Sequence, residues 1–108
     1  MFSVHLYMKE FKLNLDSGIL LRERATTEQD YINALFKLDE ARKKASHAYS
    51  QNHYKLYYNR GICFMKTGQL ENAEKDFNEA LSHADDRGKT SLHILIGQCK
   101  IEMAEAQS

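Results

Sequence analysis

YKLYYNRGICFMKTGQLENAEKDFNEALSHAD, residues 54–85, decides the fold. Gly68 divides it into two stretches with apolar or small side chains three or four apart, the spacing of amphipathic helices. The first, 53–67, carries Tyr54, Tyr57, Tyr58, Gly61, Ile62, Phe64 and Met65. The second, 70–84, carries Leu70, Ala73, Phe77, Ala80 and Leu81 as one stripe, with Glu71, Glu74, Lys75, Asp76 and Glu79 on the other side. Gly61 and Ala73 are small where two antiparallel helices would cross, and Tyr57, Phe64 and Phe77 fill the space beside them.

The same grammar extends outward. Tyr31, Ala34, Leu38 and Ala41 repeat the 3, 4, 3 spacing of Leu70, Ala73, Phe77 and Ala80, shifted by 39 residues, and predict a helix over 28–48. Thr27 followed three residues later by Asp30 is close to a capping box at its start. Gly61-Ile62-Cys63 recurs as Gly97-Gln98-Cys99, shifted by 36. A further helix is predicted over 90–106, after a stop at Gly88 and with Thr90 or Ser91 as its cap, and another over 17–25. Phe11, Leu13 and Leu15 alternate with polar residues, so 1–16 reads as an N-terminal extension and 17–108 as one domain of about two and a half helix pairs. The fold class is all-α.

The run Tyr57-x2-Arg60-Gly61-x2-Phe64-x3-Gly68-x-Leu70-x2-Ala73-x3-Phe77-x2-Ala80-Leu81 resembles a tetratricopeptide repeat, with nine positions in register. Arg60 stands where the family has an apolar residue, and Asp85-Asp86 near its closing proline. Residues 15–46 keep the second helix of such a repeat, but Arg22 falls on the small position of the first. The resemblance implies stacked helix pairs, an α-solenoid whose concave groove is lined by the first helices, and a protein-binding role as adaptor or scaffold.

In that architecture Lys55, Tyr58, Asn59, Ile62, Met65 and Lys66 face the groove. Two ammonium groups, an amide and apolar surface suit an extended peptide carrying a carboxylate and an apolar side chain, and Asn59→Ala is expected to weaken binding without changing the melting temperature. Tyr57-Tyr58-Asn59-Arg60 is similar to the segment with which carboxylate-clamp tetratricopeptide co-chaperones hold a terminal carboxylate. Ungapped, Lys89 falls on the clamp's next lysine position and His93 where its arginine stands, although histidine lacks the arginine's bidentate fork. Aligning Gly97 with Gly61 instead requires a two-residue insertion that takes Lys89 out of register.

Fifteen basic and fifteen acidic side chains cancel, in each half nearly so, which leaves no electrostatic footprint for nucleic acid or anionic lipid. Arg42-Lys43-Lys44 reads as a solvated helix end rather than a binding patch. The longest apolar runs, such as Ile19-Leu20-Leu21, are far short of the ~20 residues that span a bilayer. Lys9, Glu10 and Lys12 interrupt the N-terminus before it reaches signal-peptide length. Two cysteines without a secretory signal point to free thiols and a cytoplasmic setting. No histidine pair has the i, i+4 spacing of a helical metal motif, as His47 and His53 or His83 and His93 show, and no nucleotide loop or nucleophile elbow occurs. The chain is therefore read as non-catalytic, with no metal and no cofactor. The last helix carries Leu92, Ile94, Leu95, Ile96, Ile101 and Met103, more than one neighbour covers. This predicts a symmetric homodimer through 90–106, joined by Phe2, Val4 and Leu6.

Overall fold

The computed structural model describes residues 4–45 and 50–108, and among these every regular element is a helix. They are α1 (Val4–Arg24), α2 (Glu28–Arg42), α3 (Ser50–Lys66), α4 (Leu70–Leu81) and α5 (Asp86–Gln107). α1 packs on α2 and α3, α3 on α4, and α4 on α5, so the helices stack along a body of 53 × 31 × 21 Å.

The local signals act as their chemistry dictates. Thr27 Oγ1 accepts from the Asp30 amide at 3.2 Å, and the Asp30 carboxylate accepts from the Thr27 amide at 3.1 Å, which closes the capping box of α2. Gly68 takes a φ of 79° immediately after α3, a conformation that a β-carbon would penalise. Several boundaries differ from expectation. α1 starts at Val4 rather than 17, because Phe11 and Leu15 are four apart on a helix and both enter the core, while Leu13 between them points outward. The alternation is thus one turn of an amphipathic helix seen edge-on, and the stretch 4–16 is continuous with the repeat. α4 ends at Leu81, and α5 starts at Asp86, a turn before Thr90 and Ser91. The cap is Asp85, whose carboxylate accepts from the Gly88 amide at 2.8 Å. Gly88 accordingly lies in the first turn of α5 against the Tyr54 ring and stops nothing. α2 ends at Arg42, with Lys43 as its C-cap, and not at 48 as the periodicity predicts; residues 46–48, with His47, lie outside the described residues, as do Phe2 and the side chain of Val4.

One contact sets each hairpin. A β-carbon on Gly61 would stand 2.5 Å from Phe77 Cε1, and one on Gly18 would stand 2.6 Å from Leu38 Cδ2. Gly18, not Arg22, is therefore the small residue of the leading repeat. From Gly18 to Leu38 is 20 residues and from Gly61 to Phe77 is 16, so the first hairpin is longer by four residues, about one helical turn. With that offset the repeats align in space. Ala34, Leu38 and Ala41 of α2 and Ala73, Phe77 and Ala80 of α4 are all fully buried. Leu56 and Cys63 of α3 match Leu92 and Cys99 of α5 at the 36-residue shift, again fully buried.

Arg60, the departure from the family's apolar residue, bridges both hairpins. It donates to both Asp76 carboxylate oxygens at 2.7 and 2.8 Å and to Asp39 of α2 at 3.2 Å, beneath the Tyr57 and Phe64 rings. Asp76 is 4% exposed, so its charge requires this partner. The Arg42-Lys43-Lys44 run is also partly tied down, by Lys43 to Glu40 and Lys44 to Glu10.

The equivalent glycines 61 and 97 differ in one respect: a β-carbon on Gly97 meets nothing within 4 Å. Gly61→Ala should lower unfolding free energy by about 1–3 kcal/mol through overpacking on Phe77. Gly97→Ala should raise it by about 0.4–1 kcal/mol through the stiffer unfolded chain and better helix propensity. Urea unfolding of dilute protein reads both; equal signs would contradict the packing described.

Candidate functional site

The Asp85 cap brings the first turn of α5 beside the start of α3, where Gly88 lets the Tyr54 ring approach. The junction opens a cleft of about 510 Å³ lined by Gln51, Tyr54 and Lys55 of α3, by His83 and Asp85 of the connection, and by Arg87 and Ser91 of α5. Tyr54 stacks on Tyr58 at 5.7 Å, and burial pushes its phenol above the ordinary value. The His53 ring lies between Tyr57 and His83, 5.0 Å from the latter. Asp85 is committed to the Gly88 amide, whereas Lys55 and Arg87 make no ion pair among the described residues. The cleft therefore presents two uncommitted cations, aromatic surface and hydroxyl groups to solvent.

The match with a known family falls on α3, α4 and the connection to α5, and so on one side of this cleft. Residues 54–86 match the family profile of the tetratricopeptide repeat. Over these residues the chain is similar to a tetratricopeptide repeat. No curated protein and no solved structure matches the chain.

The repeat uses its expected groove residues unequally. Lys55 alone of the eight lines the cleft. Tyr58, Ile62 and Met65 are half-buried and pack against the core shared by α4 and α5. Asn59 is 5% exposed and spent inside the fold. Its carbonyl oxygen accepts from Arg22 Nε at 2.8 Å, and its amide donates to the Lys55 carbonyl at 2.7 Å. These bonds engage the amide expected to hold a ligand and tie α1 to α3. Lys66 is exposed in the last turn of α3, remote from the cleft. Lys89 and His93 are exposed on α5, but the 36-residue register that buries Leu92 and Cys99 makes them the equivalents of His53 and Tyr57. The ungapped clamp register, with Lys89 matched to Lys55, is therefore not the one the helices adopt. Ser91 is the residue equivalent to Lys55, and that shift was the available signal for it. Arg87 had none, since its approach depends on the Asp85 cap.

Both thiols sit in packing positions. Burial pushes the Cys63 thiol up to about 12 and raises Cys99 as well, so each stays protonated and unreactive near neutrality.

Because Asn59 is a buried hydrogen-bonding link, Asn59→Ala should lower stability by about 1–3 kcal/mol, the cost of unpaired buried groups. Thermal unfolding followed by circular dichroism checks this. An unchanged melting temperature would return Asn59 to the groove.

Proposed function

We propose that the protein is a non-catalytic protein-binding module, an adaptor or scaffold, whose cleft between α3 and α5 receives an acidic segment of a partner protein. The observation that carries the reading is the pair of uncommitted cations, Lys55 and Arg87, beside the stacked Tyr54 and Tyr58 on a tetratricopeptide repeat. A carboxylate of an extended peptide would take charge-assisted hydrogen bonds from both, and the Tyr54 ring, backed by Tyr58, would hold an adjacent apolar side chain. Buried free thiols at Cys63 and Cys99 suit a reducing compartment, so the cytoplasm is the proposed setting. Among the described residues no helix is long and apolar enough to cross a membrane.

A second reading, self-association through α5, is favoured by Ile94 and Ile101, which are 59% and 60% exposed on that helix.

Selection from a random-peptide library tests the first reading. Enriched peptides should carry an acidic residue, and their affinity should fall with added salt. The double change Lys55→Ala with Arg87→Ala should weaken binding more than tenfold, since each charge-assisted bond contributes about 1.5–3 kcal/mol. Both side chains lie outside the core, so the melting temperature should stay constant. Peptides without acidic preference, or equal binding by the double variant, would defeat the assignment.

A further inference from the structure

Cations left unpaired on a surface name no ligand until the groups around them are counted. Arg42 and Lys75 line a cleft of about 480 Å³ among α2, α3 and α4, but Asp76 and Glu79 line it too. The cleft between α3 and α5 has a different balance. Its acid, Asp85, is engaged by the Gly88 amide, while Lys55 and Arg87 are engaged by no acid among the described residues. The polar groups beside them are equally uncommitted. Among the described residues the Gln51 amide, the Tyr54 phenol and the Ser91 hydroxyl form no hydrogen bond. Hydroxyls elsewhere behave otherwise, since Thr67, Ser82 and Thr90 each donate to a carbonyl of the preceding turn. Thr90 thus closes on its own helix, and Ser91, the next residue, keeps its hydroxyl for the cleft.

The cleft is therefore rich in donors and poor in free acceptors. Burial keeps the Tyr54 phenol protonated, so it too can donate. A carboxylate uses little of this set, because it carries one charge on two oxygens and a single lysine or arginine already neutralises it. A phosphate monoester carries a charge of about −1.5 to −2 near neutrality and presents three strong acceptor oxygens. That charge matches Lys55 and Arg87 together, and the oxygens outnumber the two cations, which gives the Ser91 hydroxyl and the Gln51 amide something to hold.

We infer that the acidic group received in this cleft is a phosphorylated serine or tyrosine of a partner protein, its phosphate held between Lys55 and Arg87 with the Ser91 hydroxyl donating to a remaining oxygen. This rests on the acidic-segment reading and names the anion. Charge favours a protein source over a nucleic acid. Fifteen basic and fifteen acidic side chains cancel over the chain, so two cations at one cleft can meet one phosphate but do not continue into a track for a phosphate backbone. The Tyr54 ring, backed by Tyr58, supplies apolar surface for the residue next to the phosphorylated one.

The full chain is screened against peptide libraries that are identical except for a fixed central residue, phosphoserine, phosphotyrosine or glutamate, between random flanks. Fluorescence anisotropy then gives the affinity of each enriched sequence. The best phosphopeptide should bind more than about tenfold tighter than the same sequence with glutamate, the worth of one further charge-assisted hydrogen bond. Ser91→Ala should remove most of that preference and leave the glutamate peptide's affinity unchanged. Ser91 is exposed and alanine is the better helix former, so circular dichroism of this variant should match the wild type. Inorganic phosphate and a mononucleotide, added as competitors, should displace the phosphopeptide only far above its own dissociation constant. Glutamate peptides that bind as tightly as phosphopeptides leave the acidic-segment reading standing and overturn this inference. Failure of every library overturns both. A mononucleotide or free phosphate that binds as tightly as the best phosphopeptide overturns the protein source, and a preference that survives Ser91→Ala overturns the placing of the phosphate.

Discussion

A single steric condition, a helix backbone lying directly beneath a large side chain of its partner, governs this stack. Where Phe77 lies over Gly61, and Leu38 over Gly18, no β-carbon fits, so each pair of helices has one depth and one axial position at which it can close. Interiors at crystal-like density do not slide continuously from such a contact. Once the crossing is set, the remaining places follow. Ala73 and Ala80 must be small for the backbones to stay close, Tyr57 and Phe64 must fill the flanks, and the amphipathic stripe of α4 cannot rotate. The extra turn in the first hairpin shows how local this condition is: it lengthens α1 and α2 beyond the crossing and leaves the crossing itself unchanged.

Polar links then hold consecutive pairs in register. Arg60 joins α2, α3 and α4 through Asp39 and Asp76, and Arg22 joins α1 to α3 through Asn59. Burying an ion pair seldom adds net stability over apolar packing, but breaking one is costly, so such links penalise wrong arrangements more than they reward the right one. They also sort the cations of the repeat. Arg22 and Arg60 are committed to the interior, and Lys55 and Arg87 are left to act outside it.

The second helices were legible because their information is local. The 3, 4, 3 stripes at 31–41 and 70–80, the Thr27 box and the Gly68 stop each lie within one turn or one helix of the structure they specify. What escaped is held by distant partners. Residues 4–16 alternate in print, and only the core that receives Phe11 and Leu15 shows that the period is helical. Gly18 was passed over for Arg22 because a four-residue insertion is invisible until the helices are superposed. Asn59 looked like a binding residue because its partner, Arg22, lies 37 positions away. Of the candidate site only Lys55 was found, since the cleft exists through the Asp85 cap, whose Asp85-Asp86 pair carries no pattern of its own.

The unequal fate of the expected groove residues has a geometric cause. A first helix in the middle of this stack answers to three neighbours at once. Leu56 and Cys63 of α3 face the hairpin before it, Gly61 faces its own second helix, and Tyr58, Ile62 and Met65 face the core of the hairpin after it. Those faces occupy most of the helix circumference, at 100° per residue. The strip that remains for a ligand is narrow and polar, with Lys55 at one end of α3 and Lys66 at the other. Other polar groups reach that strip at junctions between helices, where a turn such as 82–85 brings residues of the next helix up to it. Arg87 and Ser91 come to Lys55 by that route, and the make-up of the cleft depends as much on where α5 begins as on which side chains α3 carries.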